Sequence, residues 1–333
     1  LTEKLLLYAG AIELAGAVRG RKTDRHVVSD WMDIERERGI SVTSAAVEFD
    51  LGRHHLTLLD TPGHKDFSED TYRTLFAVDG VVMVIDAAKG IESQTRKLFE
   101  VCKLRRLPVL TFINKLDLPS RDPFDLLDEI ERVLGIHAVP MNWPIGSGDR
   151  FRGVFDLQQG IVHLYDRKER AHPAPVNVGS ANDPKLAGLV GDDAWQHLIE
   201  ETSLVTGAGT AFDHQAYLDF RHTPVFFGSA LSNFGLEPFL YALTELAPPP
   251  KGRESDHGVI PPEAPNFSAF VFKIQANMNK RHRDRIAFLR VCSGVFEKDM
   301  VITNAREGQE IRAARPYRFF GGKRETIEKA FPG

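Results

Sequence analysis

Cysteine is nearly absent. Cys102 and Cys292 are the only two in 333 residues, and their wide separation excludes a disulfide framework or a zinc-ligand spacing. A reducing, cytoplasmic setting is the matching expectation. Charge of one sign is lacking too: 42 Lys and Arg stand against 46 Asp and Glu, a net charge of −4. That balance excludes a generally basic coat for nucleic acid, so DNA is not an expected partner and any RNA must be met through local patches. Long apolar runs are missing as well. The greasiest stretch, residues 81–85 (VVMVI), ends in Asp86 and is far short of the roughly 20 residues that span a bilayer, so no membrane partner is expected. No internal repeat or low-complexity segment occurs, and residue 1 is Leu with no basic, apolar leader before it. The chain therefore reads as a piece of a longer protein.

What is present describes a globular chain. Hydrophobic residues make up 42% and charged residues 26%, and the length sets a prior of about two domains. Leu5, Leu6, Tyr8 and Ile12 give an opening helix an apolar face, and a polar, Arg-rich loop follows over residues 19–39. Strands are predicted at 45–49 and 54–59, separated by the turn Asp50-Leu51-Gly52. The continuous apolar runs 81–85 and 108–113 suit parallel strands covered on both faces. Between and after them, Leu98, Val101, Cys102 and Leu104, then Phe124, Leu127, Ile130 and Leu134, recur at helical spacing. This alternation predicts a doubly wound α/β sheet. The rhythm is lost over about 136–222, read as an insertion, and resumes with a strand at 224–228 and a helix carrying Leu236, Phe239, Leu240, Leu243 and Leu246. After Pro248-Pro249-Pro250 a polar linker covers 251–265. Phe270, Phe272 and Ile274 then alternate with Val271, Lys273 and Gln275, opening a β domain over 266–333 with a return strand at Ile286, Phe288 and Val291.

Four short motifs carry chemistry. Asp60-Thr61-Pro62-Gly63-His64 lies where the 54–59 strand ends. An Asp there can hold a metal-bound water, a Gly can bring its N–H close to a phosphate, and a His can orient an attacking water. A solvated turn is the plainer reading of the same residues. Asn114-Lys115-Leu116-Asp117 follows the 108–113 strand, at the carboxyl edge where open parallel sheets bind ligands. Asp117 can accept from the ring N–H and exocyclic amine of guanine, a donor pair that adenine lacks. Asn114 can bond the base and brace neighbouring loops, and the Lys115 stem can cover a flat ring. Ser229-Ala230-Leu231, after the 224–228 strand, supplies small residues that let a backbone N–H reach the guanine carbonyl oxygen. In Arg38-Gly39-Ile40-Ser41, the Ser41 hydroxyl can coordinate Mg²⁺ beside a nucleoside triphosphate, making the loop an order/disorder switch, or it can simply cap a turn.

With these motifs the chain resembles the translational GTPases, and within them the class II peptide chain release factors (the release factor three family). The family-like stretches are residues 29–41, DTPGHKDFSEDTYRTL at 60–75, Trp143-Pro144-Ile145-Gly146, and FVFKIQANMNKRHRDRIAF at 270–288. SEDTYRTL and KIQANM are what favour the release factors over elongation factor G. The resemblance implies a Ras-like P-loop GTPase domain over 1–250 with its insertion, a linker, and a partial β-barrel domain II over 266–333. It also implies that Asp60 holds Mg²⁺ through water, Ser41 supplies a second metal contact, Gly63 senses the γ-phosphate and His64 positions the hydrolytic water. Asn114, Lys115, Leu116 and Asp117 select guanine, and Ser229, Ala230 and Leu231 close over it.

GTP and GDP are then the ligands. The ribosome, through its RNA and proteins, and the class I release factors are the implied partners, and the implied activity is GTP-driven dissociation of codon-reading release factors. Three departures qualify the match: Ser41 stands where relatives more often have Thr, Lys65 where an acidic residue is expected, and no GxxxxGK[ST] phosphate loop occurs in the 333 residues. The resemblance thus implies a fragment whose first strand is missing and whose barrel is cut. Basic clusters at 19–25 and 280–285 either meet ribosomal RNA phosphates or are solvated loops. The rival readings are an elongation factor G-like translocase or ribosome-protection GTPase and, from another class, a nucleotide-dependent binding module without hydrolysis.

Overall fold

The computed structural model describes residues 1–12, 44–63, 68–165, 174–256, 258–276, 285–320 and 323–333. They gather into two compact units, Gly80–Ala247 on one hand and Thr2–Asp79 with Pro248–Gly333 on the other. Helix α1 (Thr2–Tyr8) buries Leu5 and Leu6. It stops before the predicted Ile12, with Gly10 in the left-handed region at φ 69° two residues past its end. Strands β1 (Ala45–Leu51) and β2 (His54–Asp60) form an antiparallel hairpin with Ala45 opposite Asp60. The reversal falls at Gly52, φ 62°, so Asp50 and Leu51, read from sequence as turn residues, remain in β1. Helix α2 (Ser68–Leu75) follows.

The Gly80–Ala247 unit carries the parallel sheet. Its first elements are β3 (Val81–Asp86), α3 (Ser93–Leu104), β4 (Val109–Asn114), α4 (Pro123–Leu134) and β5 (His137–Pro140). The inserted segment supplies an antiparallel sheet of β6 (Asn142–Ile145), β7 (Gly153–Asp156), β8 (Ile161–Leu164) and β9 (Val176–Asn177), then helices α5 (Lys185–Val190), α6 (Asp192–Ala208) and α7 (His214–Leu218). The chain returns through β10 (His222–Phe227) and α8 (Leu236–Leu246). Strands β3, β4, β10 and β5 pair in that order, all parallel. Burial follows the sequence: Val109, Leu110, Phe112 and Ile113 are all at most 2% exposed, as a strand covered on both faces requires. The one polar residue among them, Thr111, is met by Thr223 of β10 at 2.7 Å, and the Thr223 hydroxyl lies 2.7 Å from the Val109 carbonyl. Helix α4 is punctuated as its sequence suggests. The Asp122 carboxylate caps the Phe124 N–H at 2.8 Å, Pro123 sits in the first turn, and Gly135 at φ 68° ends it.

The C-terminal part of the second unit is all β. A small hairpin, β11 (Arg253–Ser255) and β12 (Gly258–Ile260), lies in the segment read as a polar linker. Strands β13 (Ser268–Ala276) and β14 (Arg285–Ser293) form the long predicted hairpin, with irregular register between Val271 and Lys273. That irregularity changes which side chains face inward: Lys273 and Gln275 are buried and Ile274 is 65% exposed. Strands β15 (Phe296–Glu297), β16 (Val301–Asn304), β17 (Gln309–Arg312), β18 (Tyr317–Phe320), β19 (Lys323–Thr326) and β20 (Lys329–Ala330) complete it. Val47 of β1 pairs with Phe320 of β18, so the sheet order is β19-β18-β1-β2. The β1–β2 hairpin therefore lies in an antiparallel sheet with β18 and β19, whereas the parallel sheet is built from the four other strands. Residues following β4 and β10 thus stand at the carboxyl edge of a parallel sheet, and Asp60 ends an antiparallel strand.

Candidate functional site

Two of the motifs meet at the carboxyl ends of adjacent strands. Strand β4 delivers Asn114 and β10 delivers Gly228, and the two side by side bring residues 114–117 against 228–230. The Asn114 Oδ1 accepts two backbone N–H groups, from Lys115 at 2.9 Å and from Ala230 at 2.8 Å. One side-chain oxygen therefore fixes two loops more than a hundred residues apart in sequence. Leu116 reinforces the contact from the fully buried side: its N–H donates to the Gly228 carbonyl at 3.2 Å, and its own carbonyl accepts from Gly148 at 2.9 Å. Gly228 is required for this approach, because a Cβ there would run into the Phe234 carbonyl oxygen and the Phe112 ring. Ser229 is completely buried, exchanges both backbone hydrogen bonds with Phe234 at 2.9 and 2.8 Å, and pairs its hydroxyl with Ser232 at 2.9 Å. Ala230 is buried, whereas Leu231 is 76% exposed.

Lys115 is held in an uncommon state. Its φ is 74°, the left-handed region that non-glycine residues enter at a cost, and its Nζ lies 2.6 Å from Asp86 Oδ2. Asp86 ends β3 directly opposite Asn114 in the ladder. Burial works to raise the Asp86 pKa, but the Lys115 hydrogen bond, the Ala88 and Lys89 N–H groups and the Lys115 charge outweigh it, and the carboxyl titrates below its ordinary range. No motif singles out Asp86 in the sequence, where its place at the end of the neighbouring apolar run is the available signal. Asp117, half-buried, lies on the turn that the Leu118 N–H closes onto the Lys115 carbonyl at 3.0 Å.

Behind β10 stands a second unforeseen residue. Asn142 is fully buried, and its side-chain amide pairs with the backbone of Phe227 in both directions, 3.1 Å to the carbonyl and 2.7 Å from the N–H. It continues the β5–β10 ladder by one step and so fixes the residue just before Gly228. Next to it Trp143 is buried, donates its indole N–H to Glu201 of α6 at 2.9 Å, and packs on Phe124 and Phe227. Burial raises the Glu201 pKa, with the Trp143 hydrogen bond opposing.

The remaining motif lies in the other compact unit. Asp60 closes β2 half-buried, Pro62 is buried with its carbonyl 3.3 Å from the Thr71 hydroxyl, and Gly63 is exposed with open space around it. Thr61, between them, is half-buried. Ser41, His64 and Lys65 lie outside the described residues, as do the 19–25 cluster and all but Arg285 of 280–285. Among the described residues no cluster of three metal-ligating side chains occurs and no helix is long and apolar enough to cross a membrane.

Comparison with known proteins adds to this geometry. Residues 1–249 match the family model described as elongation factor Tu GTP binding domain, and 266–333 match elongation factor G domain 2. Peptide chain release factor 3 of Gloeobacter violaceus is 54% identical over the whole chain, which covers 63% of that relative. The protein of the same name from Microcystis aeruginosa is also 54% identical, with 61% of it covered. The chain thus spans about three-fifths of the length of the curated relatives it matches. A crystal structure of a Thermus thermophilus protein superposes on all of this chain and 48% of its own, with a TM-score of 0.76 at 22% identity, a likeness of fold.

Proposed function

Because the chain belongs to the elongation factor Tu GTP-binding domain family, we propose that it forms the nucleotide-binding core of a GTPase that acts in translation termination. The observation that carries the reading is the Asn114 oxygen bridging Lys115 and Ala230. It assembles a pocket edge whose chemistry suits guanine: Asp117 accepts from the ring N–H and the exocyclic amine, the Lys115 stem covers one face, and the Ser229–Leu231 turn, with the Ser229 and Ala230 N–H groups held by Phe234 and Asn114, turns the Leu231 backbone to the carbonyl oxygen. Residues 1–250 are assigned to the nucleotide domain, with an insertion at about 136–222. Residues 251–265 join it to a β domain at 266–333.

On the phosphate side, Gly63, exposed and with open space where a side chain would stand, brings its backbone to the γ-phosphate and His64 orients the attacking water. Asp60, a half-buried carboxylate close to Gly63 in sequence, fits a water-mediated contact to Mg²⁺, with Ser41 as the second contact. A Mg²⁺ held by these two residues would supply neutralisation of the phosphate charge. The GTP and GDP states then differ in what Gly63 contacts, and affinity for the ribosome follows that difference.

The identity to release factor 3 proteins supports a further step, release of class I factors from the ribosome after termination, in the cytoplasm. The elongation factor G domain 2 match favours a translocase as the second reading. The full-length protein separates the two. Terminated ribosomes carrying a codon-reading release factor are expected to stimulate GTP hydrolysis and to lose that factor. Stimulation with tRNA translocation instead supports the second reading, and no stimulation refutes both.

A further inference from the structure

The β13–β14 hairpin sends two buried cations against helix α2, one at each end. Lys273, whose side chain is 6% exposed, donates from Nζ to Asp70 Oδ2 at 3.0 Å and to the Ser44 carbonyl at 3.0 Å. Arg290, 8% exposed, donates to the Ala77 carbonyl at 2.6 Å and to Asp79 at 2.5 Å, just beyond the last turn. A lysine this deeply buried is costly unless paired, and removing one partner leaves the other charge stranded. The pairing is more than bipartite. The Ser44 N–H also donates to Asp70, and the Thr74 hydroxyl reaches the Ser44 hydroxyl at 2.9 Å.

These groups bracket the phosphate-side motif. Ser44 precedes Ala45, which sits opposite Asp60 in the hairpin. Thr71, next to Asp70, holds the Pro62 carbonyl. One ammonium therefore ties together the strand before Asp60 and the helix after Gly63. The two cannot shift apart without lengthening at least one of its hydrogen bonds. We propose that Lys273 is a positioning residue for Asp60 and Gly63, so that the β domain sets the geometry at the phosphate while leaving recognition of the base alone. This rests on the guanine-nucleotide reading given above. Its chemistry is that of a side chain acting through Asp70 and Ser44, with no contact to the nucleotide.

The test uses the full-length protein and its Lys273→Met, Lys273→Arg and Asp70→Asn variants, with single-turnover GTP hydrolysis and GDP affinity measured on each. Lys273→Met is expected to lose about 10- to 100-fold in hydrolysis rate, the scale of a small misplacement, with GDP affinity within about threefold. Lys273→Arg, which keeps the cation, is expected to restore most of the rate. A wild-type rate in folded Lys273→Met overturns the proposal, and so does a loss of GDP affinity equal to the loss of rate, which marks general destabilisation. If Lys273→Met does not fold, Asp70→Asn decides on the same split, an unchanged rate again overturning it. Failure of the nucleotide reading is visible separately, as absence of guanine-nucleotide binding by the wild type.

Discussion

Replacing Asn114 with alanine removes one oxygen that serves two backbone donors, Lys115 at 2.9 Å and Ala230 at 2.8 Å. Each such bond is worth about 1 kcal/mol net, and a partly buried N–H left without an acceptor costs about 1–3 kcal/mol. The two loops thus lose about 2–4 kcal/mol of mutual positioning. At about 1.4 kcal/mol per tenfold, that corresponds to a drop of roughly 30- to 1,000-fold in GDP affinity if the assembled loops are what the nucleotide binds. Asn114→Asp is the control, since it keeps acceptor oxygens while losing the amide donors. Its unfolding free energy in guanidinium is expected to lie nearer the wild type than that of Asn114→Ala. Titration of the full-length variants with a fluorescent GDP analogue measures the binding. An alanine variant that binds GDP within about threefold of the wild type, at unchanged stability, refutes the idea that this bridge builds the site.

Other consequences are equally open to measurement. Asp117→Asn is expected to shift preference from guanine towards xanthine nucleotides, because the amide can donate to the oxygen that replaces the exocyclic amine; competition titrations with GTP and XTP read this directly. Asn142→Leu leaves the buried N–H and carbonyl of Phe227 without partners and is expected to cost about 2–4 kcal/mol in denaturant unfolding. His163 titrates below its ordinary 6.5 because burial disfavours the cation more than Glu237 and Asp156 favour it. The unfolded chain therefore takes up that proton first. The His163 contribution to stability is whole above the ordinary histidine value and declines as the pH falls below it, a slope that His163→Gln should flatten in unfolding curves recorded across mildly acidic pH.

Legibility in the sequence followed how locally a feature was determined. The strands β3 and β4 and the helix α4 could be read because continuous apolar runs, an Asp-Pro start and a Gly stop each act within a few residues. The Asn114–Asp117 and Ser229–Leu231 pairing was legible because both follow such strands. By contrast, α6 was missed inside the insertion: Thr202, buried and bonded to the Leu198 carbonyl at 2.6 Å, interrupts its apolar stripe. The face of β13 was obscured by the irregularity at Phe272 and by a buried lysine that only a distant aspartate could explain. Asp86 and Asn142 act through partners 29 and 85 positions away, a separation no local pattern records. The antiparallel pairing of β2 with β1 is local, but the place of that hairpin beside β18 depends on a strand far along the chain.

The Lys115–Asp86 pair bears on the speed of recognition as well as on its strength. A free lysine on a loop samples many rotamers and must surrender that freedom, worth about 0.5–1.5 kcal/mol for a long side chain, when a ring settles on it. Here the 2.6 Å ion pair with Asp86 limits that freedom before any ligand arrives. A nucleotide bound as proposed would meet a partly preorganised surface, so that more of the entropic barrier to capture would fall on the ligand's own ordering. Loosening the anchor at Asp86 should then show itself first in the rate of association, well before any contact to the base is lost.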